Sequence, residues 1–223
     1  MIKGVAFDLD GVLTHTSEEH FHAWAALAQE LGGTLPESVK DAVRGISRMD
    51  SLELVLQAIG RDKDFTQAQK KALADHKNDL YREMIARVTP KNLESGALEL
   101  LIDLKKRGFR LALASASRSG SYLLKKMEIE KYFDAVVDPA SVKCGKPDPE
   151  IFLKAAELLE LSPKECLGVE DAAAGIESIQ AAGMKAIGIG SREVQQADWV
   201  FENIQSAGEW LMTYLKEQEK WQA

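Results

Sequence analysis

The chain has 223 residues, 45% of them hydrophobic, which suffices for one large domain or for a domain with a substantial insert. Its 28 basic and 35 acidic residues give a formal net charge of −7, which disfavours binding to nucleic acid or an anionic membrane surface. No apolar run approaches the roughly 18 residues of a membrane helix, and no signal-peptide pattern is found, so a cytoplasmic protein is expected. Cys144 and Cys166 lack zinc-site spacing and are expected to be ordinary reduced thiols.

Short apolar runs bounded by turn or acidic residues predict buried β-strands. They lie at residues 5–10, 110–117, 133–139, 166–171, 185–190 and 198–201. Helical patterns separate the later runs, at residues 97–107, 119–127, 149–159 and 172–182, with Asp148 as the expected N-cap of the third. Strand followed by helix, repeated, predicts an α/β protein with a doubly wound parallel (Rossmann-like) sheet as its core.

One stretch breaks this alternation, because residues 16–91 show helical patterns and no strand pattern. Two capping boxes, Thr16-x-x-Glu19 and Thr66-x-x-Gln69, predict helix starts within it. We therefore predict an α-helical cap domain at 16–91, inserted into a core domain formed by 1–15 and 92–223. The linkers at about 13–16 and 88–92 are expected to lie side by side and to act as a hinge.

Acidic side chains follow two of the predicted strands. Asp8 and Asp10 end the first strand, and residues two apart on a strand point to the same face. Glu170 and Asp171 end the fourth strand. Ligands of open parallel sheets bind beyond the carboxyl ends of the strands, so these groups are expected to meet. A cluster of carboxylates without thiolate or imidazole suits Mg²⁺.

Two further strand ends carry a hydroxyl and an ammonium group. Ser115 ends the second strand, and Lys146 follows the third in the string KCGKPDP. Positioned donors and cations stabilise the negative charge of a transferring phosphoryl group. The predicted site is therefore suited to phosphate. Taken singly, each residue is also compatible with an ordinary turn, loop or helix-end position.

Together these motifs resemble those of the haloacid dehalogenase superfamily. They are D-x-D-G-V at 8–12, Ser115, the lysine of KPDP and V-E-D at 169–171. The resemblance implies that Asp8 is the nucleophile that becomes phosphorylated, that Asp10 is the general acid and base, and that Ser115 and Lys146 bind the transferring phosphoryl group.

The same resemblance implies a magnesium site. Its ligands would be the carboxylates of Asp8 and Asp171 and the main-chain carbonyl of Asp10, with Glu170 as a further candidate. The expected cofactor is Mg²⁺.

Several residues of the predicted cap carry chemistry whose use the pattern alone leaves open. His20 lies on the apolar side of the first cap helix and is either a core histidine or a group facing the cleft. Arg48 starts a helix after a glycine turn, where it binds an oxyanion or is a solvated first-turn arginine. Lys77 lies in a charged helix that favours solvation, and Trp24 fits a core position.

Four strings make the resemblance more specific: TSEEHFHAW (16–24), RGISRMDS (44–51), HKNDLY (76–81) and LASASRSG (113–120) are similar to the sugar-phosphate mutases of the superfamily. The resemblance implies that Arg48, Ser117 and Ser119 bind a distal phosphate. The residues that it places around the substrate are Thr16, His20, Trp24, Gly45, Ile46, Arg48, Ser51, Lys77, Ala116, Ser117, Arg118 and Ser119.

The implied reaction interconverts β-glucose 1-phosphate and glucose 6-phosphate, with glucose 1,6-bisphosphate as intermediate and activator. The implied partner is a small sugar phosphate, and we expect a monomer. One alternative is a sugar-phosphate phosphatase, in which water attacks the aspartyl phosphate; another is a binding module that has lost its chemistry. Two residues depart from the mutase pattern: His15 stands where aspartate is usual in the hinge, and Ser119 where asparagine is usual.

Overall fold

The computed structural model describes residues 1–190 and 192–220, and in these residues six strands form a parallel sheet in the order β3-β2-β1-β4-β5-β6. The strands are β1 (Gly4–Phe7), β2 (Arg110–Leu113), β3 (Ala135–Val136), β4 (Cys166–Glu170), β5 (Lys185–Ile189) and β6 (Trp199–Phe201). The helices are α1 (Ser17–Glu30), α2 (Arg48–Ala58), α3 (Gln67–Ile85), α4 (Ala97–Lys106), α5 (Gly120–Lys126), α6 (Glu150–Leu158), α7 (Ala173–Ala181) and α8 (Ile204–Lys220). The predicted parallel α/β fold is confirmed.

Both faces of the sheet are covered, as expected for parallel strands that read as continuous apolar runs. Phe7 belongs to one buried cluster, which includes Leu101 of α4, and its neighbour Ala6 belongs to the other, which includes Phe152 of α6. Neighbouring residues of a strand point to opposite faces, so β1 contributes to both cores. In the parallel register, Phe7 lies opposite Leu113 and Val169, and the residues after these strands emerge at one edge of the sheet.

The helices α1, α2 and α3 pack together over a third apolar cluster, which includes Trp24, Leu27, Leu52 and Leu56. They lie in the predicted cap, and their own core explains why this segment needs no strand. The boundaries at 16 and 91 stay a prediction, and residues 191 and 221–223 of the predicted core lie outside the described part of the chain. No helix found in residues 1–190 and 192–220 is long and apolar enough to cross a membrane.

The linkers between the sheet and the cap lie side by side. Thr14 forms one isolated bridge with Asp10 and another, antiparallel, with Leu93. The buried Thr14 hydroxyl donates to the carbonyl oxygen of Asn92 at 2.8 Å. His15 lies next to this junction, and its Nε2 is 2.8 Å from Oε1 of Glu94. The histidine that departs from the family pattern therefore joins the outgoing linker to the chain just after the returning one.

Local expectations differ from the structure at several points, and β2 and β3 are shorter than the predicted runs at 110–117 and 133–139. The first strand ends at Phe7 because the chain turns there, and the carbonyl of the buried Leu9 accepts backbone N–H groups of the turn. The Thr66 capping box is present, whereas Thr16 makes no capping bond and its hydroxyl donates to Asp10 instead. The helix α6 begins at Glu150, so Pro149 stands at its N-cap position and Asp148 lies one residue before it. The Asp148 side chain still accepts the Glu150 N–H at 2.9 Å.

Candidate active site

A buried lysine joins two carboxylates at the carboxyl edge of the sheet. Lys146 Nζ donates to Asp8 Oδ1 and to Glu170 Oε2, each at 2.7 Å, and its side chain is 0% exposed. Burial opposes the charged form, but the two carboxylates raise the pKa of Lys146 above its usual value. The ammonium group therefore keeps its charge next to Asp8, where a transferring phosphoryl group would carry negative charge.

Three carboxylates form the candidate metal centre: oxygens of Asp8, Glu170 and Asp171 all lie within 4.8 Å of one another. Burial and the neighbouring Asp8 raise the pKa of Glu170 well above its usual range, against the opposing effect of Lys146. Burial also raises the pKa of Asp171, again with Asp8 adding to the shift and the Arg44 guanidinium opposing it. Buried carboxylates that disfavour their own charge are stabilised by a bound cation.

A glycine allows the main chain to approach this centre closely. Gly11 has a φ of +80°, and a Cβ at this position would lie 1.8 Å from Oδ2 of Asp171. A side chain here would displace the Asp171 carboxylate and strain the backbone. The all-oxygen donor set fits Mg²⁺, and Asp8 and Asp171 are the candidate carboxylate ligands. Glu170 also accepts the N–H groups of Asp171 and Ala172, at 3.2 and 3.3 Å, and is suited to orienting them.

Asp10 lies in surroundings that favour proton transfer near neutral pH. Burial, and next the charge of Asp8, raise the pKa of Asp10 to about 7, although the hydrogen bond from Thr16 opposes the rise. A group with a pKa near the working pH exchanges a proton in either direction at low cost. Asp10 can therefore act as both acid and base.

A chain of side chains on the cap approaches Asp10. Lys77 Nζ is 2.7 Å from His20 Nδ1, and His20 Nε2 is 3.8 Å from Asp10 Oδ2. Burial, and then the Lys77 charge, lower the pKa of His20 well below its usual value, so its ring is neutral. When Lys77 donates to Nδ1, the ring proton resides on Nε2, facing Asp10. The ring also stacks on Tyr81 with centroids 3.8 Å apart, which holds this orientation.

Lys77 itself is held in unusual surroundings. Its Nζ lies 4.5 Å from the ring centroid of the buried Trp24. Burial, with the Arg48 charge second, lowers the pKa of Lys77 to about 7. Trp24 packs in the cap core, as the pattern predicts, and its ring also lies against the Lys77 ammonium group.

Arginines from the cap and the core approach each other at the other end of the site. Arg48 Nη2 donates to Asn78 Oδ1 at 2.7 Å, and Arg48 Nη1 donates to Asp75 Oδ1 at 3.2 Å. Arg118 Nη1 lies 4.0 Å from the same Asp75 oxygen. The buried Ser119 uses its N–H to donate to the Ser117 hydroxyl at 3.3 Å. Donors from both parts of the fold therefore converge on one region.

The structure brings most of the predicted site residues to one cavity between cap and core. Those lining it are Asp8, Asp10, His20, Trp24, Gly45, Ile46, Arg48, Ser51, Lys77, Ser115, Ala116, Ser117 and Asp171. Thr16, Lys146 and Glu170 are buried behind it and contact it through their hydrogen bonds to lining residues and to each other. Arg118 and Ser119 line a neighbouring cavity, to which Arg48 also contributes.

Sequence reasoning missed other residues that line this cavity, namely Ser17, Phe21, Lys40, Val43 and Arg44. Arg44 is the most consequential of these, because its guanidinium donates from the cap to Asp171 in the candidate metal centre. A signal was present: Arg44 directly precedes Gly45 in the string RGISRMDS, whose later residues were singled out. Gly45 has a φ of +69°, and a Cβ there would lie 2.9 Å from Cβ of Ala172, so the cap loop closely approaches the core.

The strand-end nucleophile candidate, the buried lysine and the acidic cluster define a phosphotransferase-type site on a parallel sheet. The haloacid dehalogenase-like hydrolase family matches residues 2–183, and the chain belongs to this family.

Relatives within the family include mutases and phosphatases. The chain is 42% identical to the beta-phosphoglucomutase of Bacillus subtilis over 189 residues, which are 85% of this chain and 84% of that protein. It is 31% identical to the phosphorylated carbohydrates phosphatase of Thermotoga maritima over 188 residues, 83% of this chain and 84% of that one. The crystal structure of beta-phosphoglucomutase from Clostridium difficile matches with a TM-score of 0.93 and 34% identity, covering 98% of this chain and 99% of that one.

Proposed function

We propose that this chain is a magnesium-dependent β-phosphoglucomutase that interconverts β-D-glucose 1-phosphate and glucose 6-phosphate. The observation that carries the proposal is the presence of two separate groups of phosphate-binding candidates, Asp8 with Lys146 in the core and Arg48 with Arg118 at the distal end. A mutase must hold one phosphate while it transfers another. The similarity to beta-phosphoglucomutases over most of the chain supports this function.

In the first half-reaction, phosphorylated Asp8 transfers its phosphoryl group to the 6-hydroxyl of β-glucose 1-phosphate. The bond from phosphorus to the Asp8 oxygen breaks, the bond to the sugar oxygen forms, and Asp10 takes the hydroxyl proton. The product is β-glucose 1,6-bisphosphate. The pKa of about 7 at Asp10 suits this step, because the deprotonated form is available at neutral pH.

In the second half-reaction, the bisphosphate turns so that its 1-phosphate faces Asp8. Asp8 attacks phosphorus and becomes phosphorylated again, while Asp10 returns its proton to the leaving sugar oxygen. Glucose 6-phosphate is then released. Asp10 alternates between base and acid, and Asp8 ends the cycle phosphorylated, as it began.

The carboxylates of Asp8 and Asp171 and the main-chain carbonyl of Asp10 would hold Mg²⁺, with Glu170 as a further candidate. When bound, the cation neutralises charge that develops on the phosphoryl oxygens. Lys146, which donates to Asp8 Oδ1, would contribute a second positive charge next to the phosphoryl group, and Ser115 a hydroxyl donor.

Opening and closing of the cap is part of the proposal. The cavity between cap and core offers about 70 Å³, less than the about 300–1,000 Å³ that is typical of ligand pockets. A hexose bisphosphate thus requires the cap to move away before it enters or turns. Contacts from Arg44 to Asp171 and from Thr16 to Asp10 would re-form on closure and exclude water from the phosphorylated Asp8.

The direct test is a coupled assay for glucose 6-phosphate with the β and the α anomer of glucose 1-phosphate as separate substrates. We expect turnover of the β anomer, stimulated by glucose 1,6-bisphosphate, and little of the α anomer. Release of inorganic phosphate from either substrate at a rate matching its consumption would instead support a sugar-phosphate phosphatase, the alternative that the Thermotoga maritima relative represents.

Replacing Arg48 should separate mutase turnover from phosphorylation of Asp8. Arg48→Ala removes a charge-assisted contact to the distal phosphate worth about 1.5–3 kcal/mol, so kcat/KM for β-glucose 1-phosphate should fall about 10- to 150-fold. Phosphorylation of Asp8 by acetyl phosphate should persist, since that donor carries no second phosphate. Initial rates of both reactions check this expectation.

The matched control for this variant is Arg61→Ala, because Arg61 lies elsewhere in the cap and bonds Asp64 and the Leu31 carbonyl. Its two activities should change together if at all. Equal loss of both activities in Arg48→Ala would mean that Arg48 supports the fold or the core site. That result would favour the sugar-phosphate phosphatase over the mutase.

A further inference from the structure

We propose that Asp75 is an internal competitor for the distal-phosphate clamp, where the clamp means Arg48 and Arg118. In this proposal the Asp75 carboxylate occupies the clamp until the substrate's distal phosphate displaces it. Asp75 thereby weakens the hold on each bound sugar phosphate. The inference rests on the proposed function and adds a residue that sets the affinity of the same site.

The geometry places a single carboxylate oxygen between two guanidinium groups. Asp75 Oδ1 accepts from Arg48 Nη1 at 3.2 Å and lies 4.0 Å from Arg118 Nη1. Asp75 lies on α3 and Arg48 on α2, both in the cap, whereas Arg118 follows β2 in the core. A phosphate gripped by both arginines would need the donor positions that face this oxygen.

The charges explain why a carboxylate lies there. Burial, and then repulsion by Arg118, lower the pKa of Arg48, whereas Asp75 acts in the opposite direction. Two guanidinium groups that converge without an anion repel each other, and the side chain of Arg48 is only 17% exposed to water. Asp75 supplies the missing negative charge in the ligand-free state.

The neighbouring groups allow Asp75 to leave without disordering the clamp. Asn78 Oδ1 accepts from Arg48 Nη2 at 2.7 Å, and this neutral bond holds the guanidinium when Nη1 changes partner. The Asp75 side chain is 52% exposed, so it can turn to water at small cost. Displacement therefore exchanges one charge-assisted contact for another.

A weakened clamp suits the proposed reaction. The distal phosphate of the bisphosphate has to leave the clamp so that the sugar can turn between the two half-reactions. A clamp that binds ground state and transition state equally tightly does not speed the chemical steps. A carboxylate that retakes Arg48 as the phosphate leaves would favour this release.

The test is the dissociation constant of glucose 6-phosphate, measured by titration calorimetry on the full chain. Asp75→Asn keeps the shape of the side chain and a neutral acceptor but removes the charge. We expect binding about two- to five-fold tighter than in the unmodified protein, as for the loss of a partly exposed ion pair. Asp79→Asn is the charge-matched control, because Asp79 lies one turn further along α3 and lines the same neighbouring cavity.

A cycle with Arg48→Ala shows whether Asp75 acts through that arginine. In the Arg48→Ala background, Asp75→Asn should leave the dissociation constant unchanged. Unchanged or weaker binding in Asp75→Asn alone, an equal gain in Asp79→Asn, or a gain that persists without Arg48 would each overturn the inference.

If glucose 6-phosphate does not bind the unmodified protein, the proposed function is contradicted, and the same cycle is read with inorganic phosphate. Tighter inorganic phosphate binding in Asp75→Asn, dependent on Arg48, would support competition at the clamp on its own. Absence of an Arg48-dependent phosphate signal would overturn it.

Discussion

Asp8→Asn is expected to abolish turnover of β-glucose 1-phosphate, with a loss of at least about 10³-fold, or about 4 kcal/mol in the barrier. The neutral amide cannot attack phosphorus and is a poor ligand for Mg²⁺. It also leaves Lys146, which donates to Asp8 Oδ1 at 2.7 Å, with one carboxylate partner fewer in a buried site. The coupled assay for glucose 6-phosphate measures the loss, and mass spectrometry after incubation with acetyl phosphate should find no phosphoryl adduct that hydroxylamine removes.

The control for this variant is Asp103→Asn on the exposed side of α4, where the carboxylate pairs only loosely with Lys106 at 3.6 Å. Its activity should stay close to that of the unmodified protein. Circular dichroism checks the fold of both variants, and peptide mass analysis excludes deamidation of the introduced amide back to aspartate. Appreciable activity in verified Asp8→Asn protein would contradict the covalent mechanism.

Removal of divalent cations is the second change with a large expected effect. Excess chelator should silence mutase activity, and added Mg²⁺ should restore it better than Ca²⁺, whose looser geometry suits in-line transfer poorly. The physical reason lies in the carboxylates of Asp8, Glu170 and Asp171, whose oxygens lie within 4.8 Å of one another. Burial and the charge of Asp8 raise the pKa of both Glu170 and Asp171, and a bound cation offsets this cost.

A readout other than activity separates cation binding from catalysis. Titration calorimetry with Mg²⁺ should detect binding to the unmodified protein and weaker binding to Asp171→Asn. Full activity in excess chelator, or equal Mg²⁺ affinity in Asp171→Asn, would count against the metal centre at this edge of the sheet.

The core was open to prediction from sequence because parallel strands align their carboxyl ends. Asp8, Ser115, Lys146 and Asp171 are far apart in the chain, but each lies at the end of a predicted strand or after it, and topology alone brings such positions together. The superfamily assignment and the parallel α/β fold are confirmed. The roles assigned to individual residues stay predictions, as do the monomeric state and the cytoplasmic location.

Contacts between the cap and the core were harder to predict, because they depend on how two packed units meet. Nothing in the sequence pairs Arg44 with Asp171, 127 residues later, or Asp75 with Arg118. Thr16 shows the related difficulty that a helix-capping pattern and a functional hydroxyl look alike in sequence. In the folded chain the Asp10 carboxylate lies within hydrogen-bonding distance, so the Thr16 hydroxyl donates to it and makes no capping bond to α1.

The paired linkers at Thr14 have a consequence for how such an enzyme changes over time. The Leu13 carbonyl accepts the Glu94 N–H at 3.0 Å, so the point where the chain leaves the core domain and the point where it returns are joined by a hydrogen bond. Because the ends of the excursion are held together by the core, the entropy of closing it grows only slowly with its length. The segment that touches the sugar can therefore be lengthened, shortened or exchanged while the strand order β2-β1-β4 and its phosphate chemistry remain intact. The substrate can therefore change through mutations in the inserted segment alone, while the catalytic residues of the core stay the same.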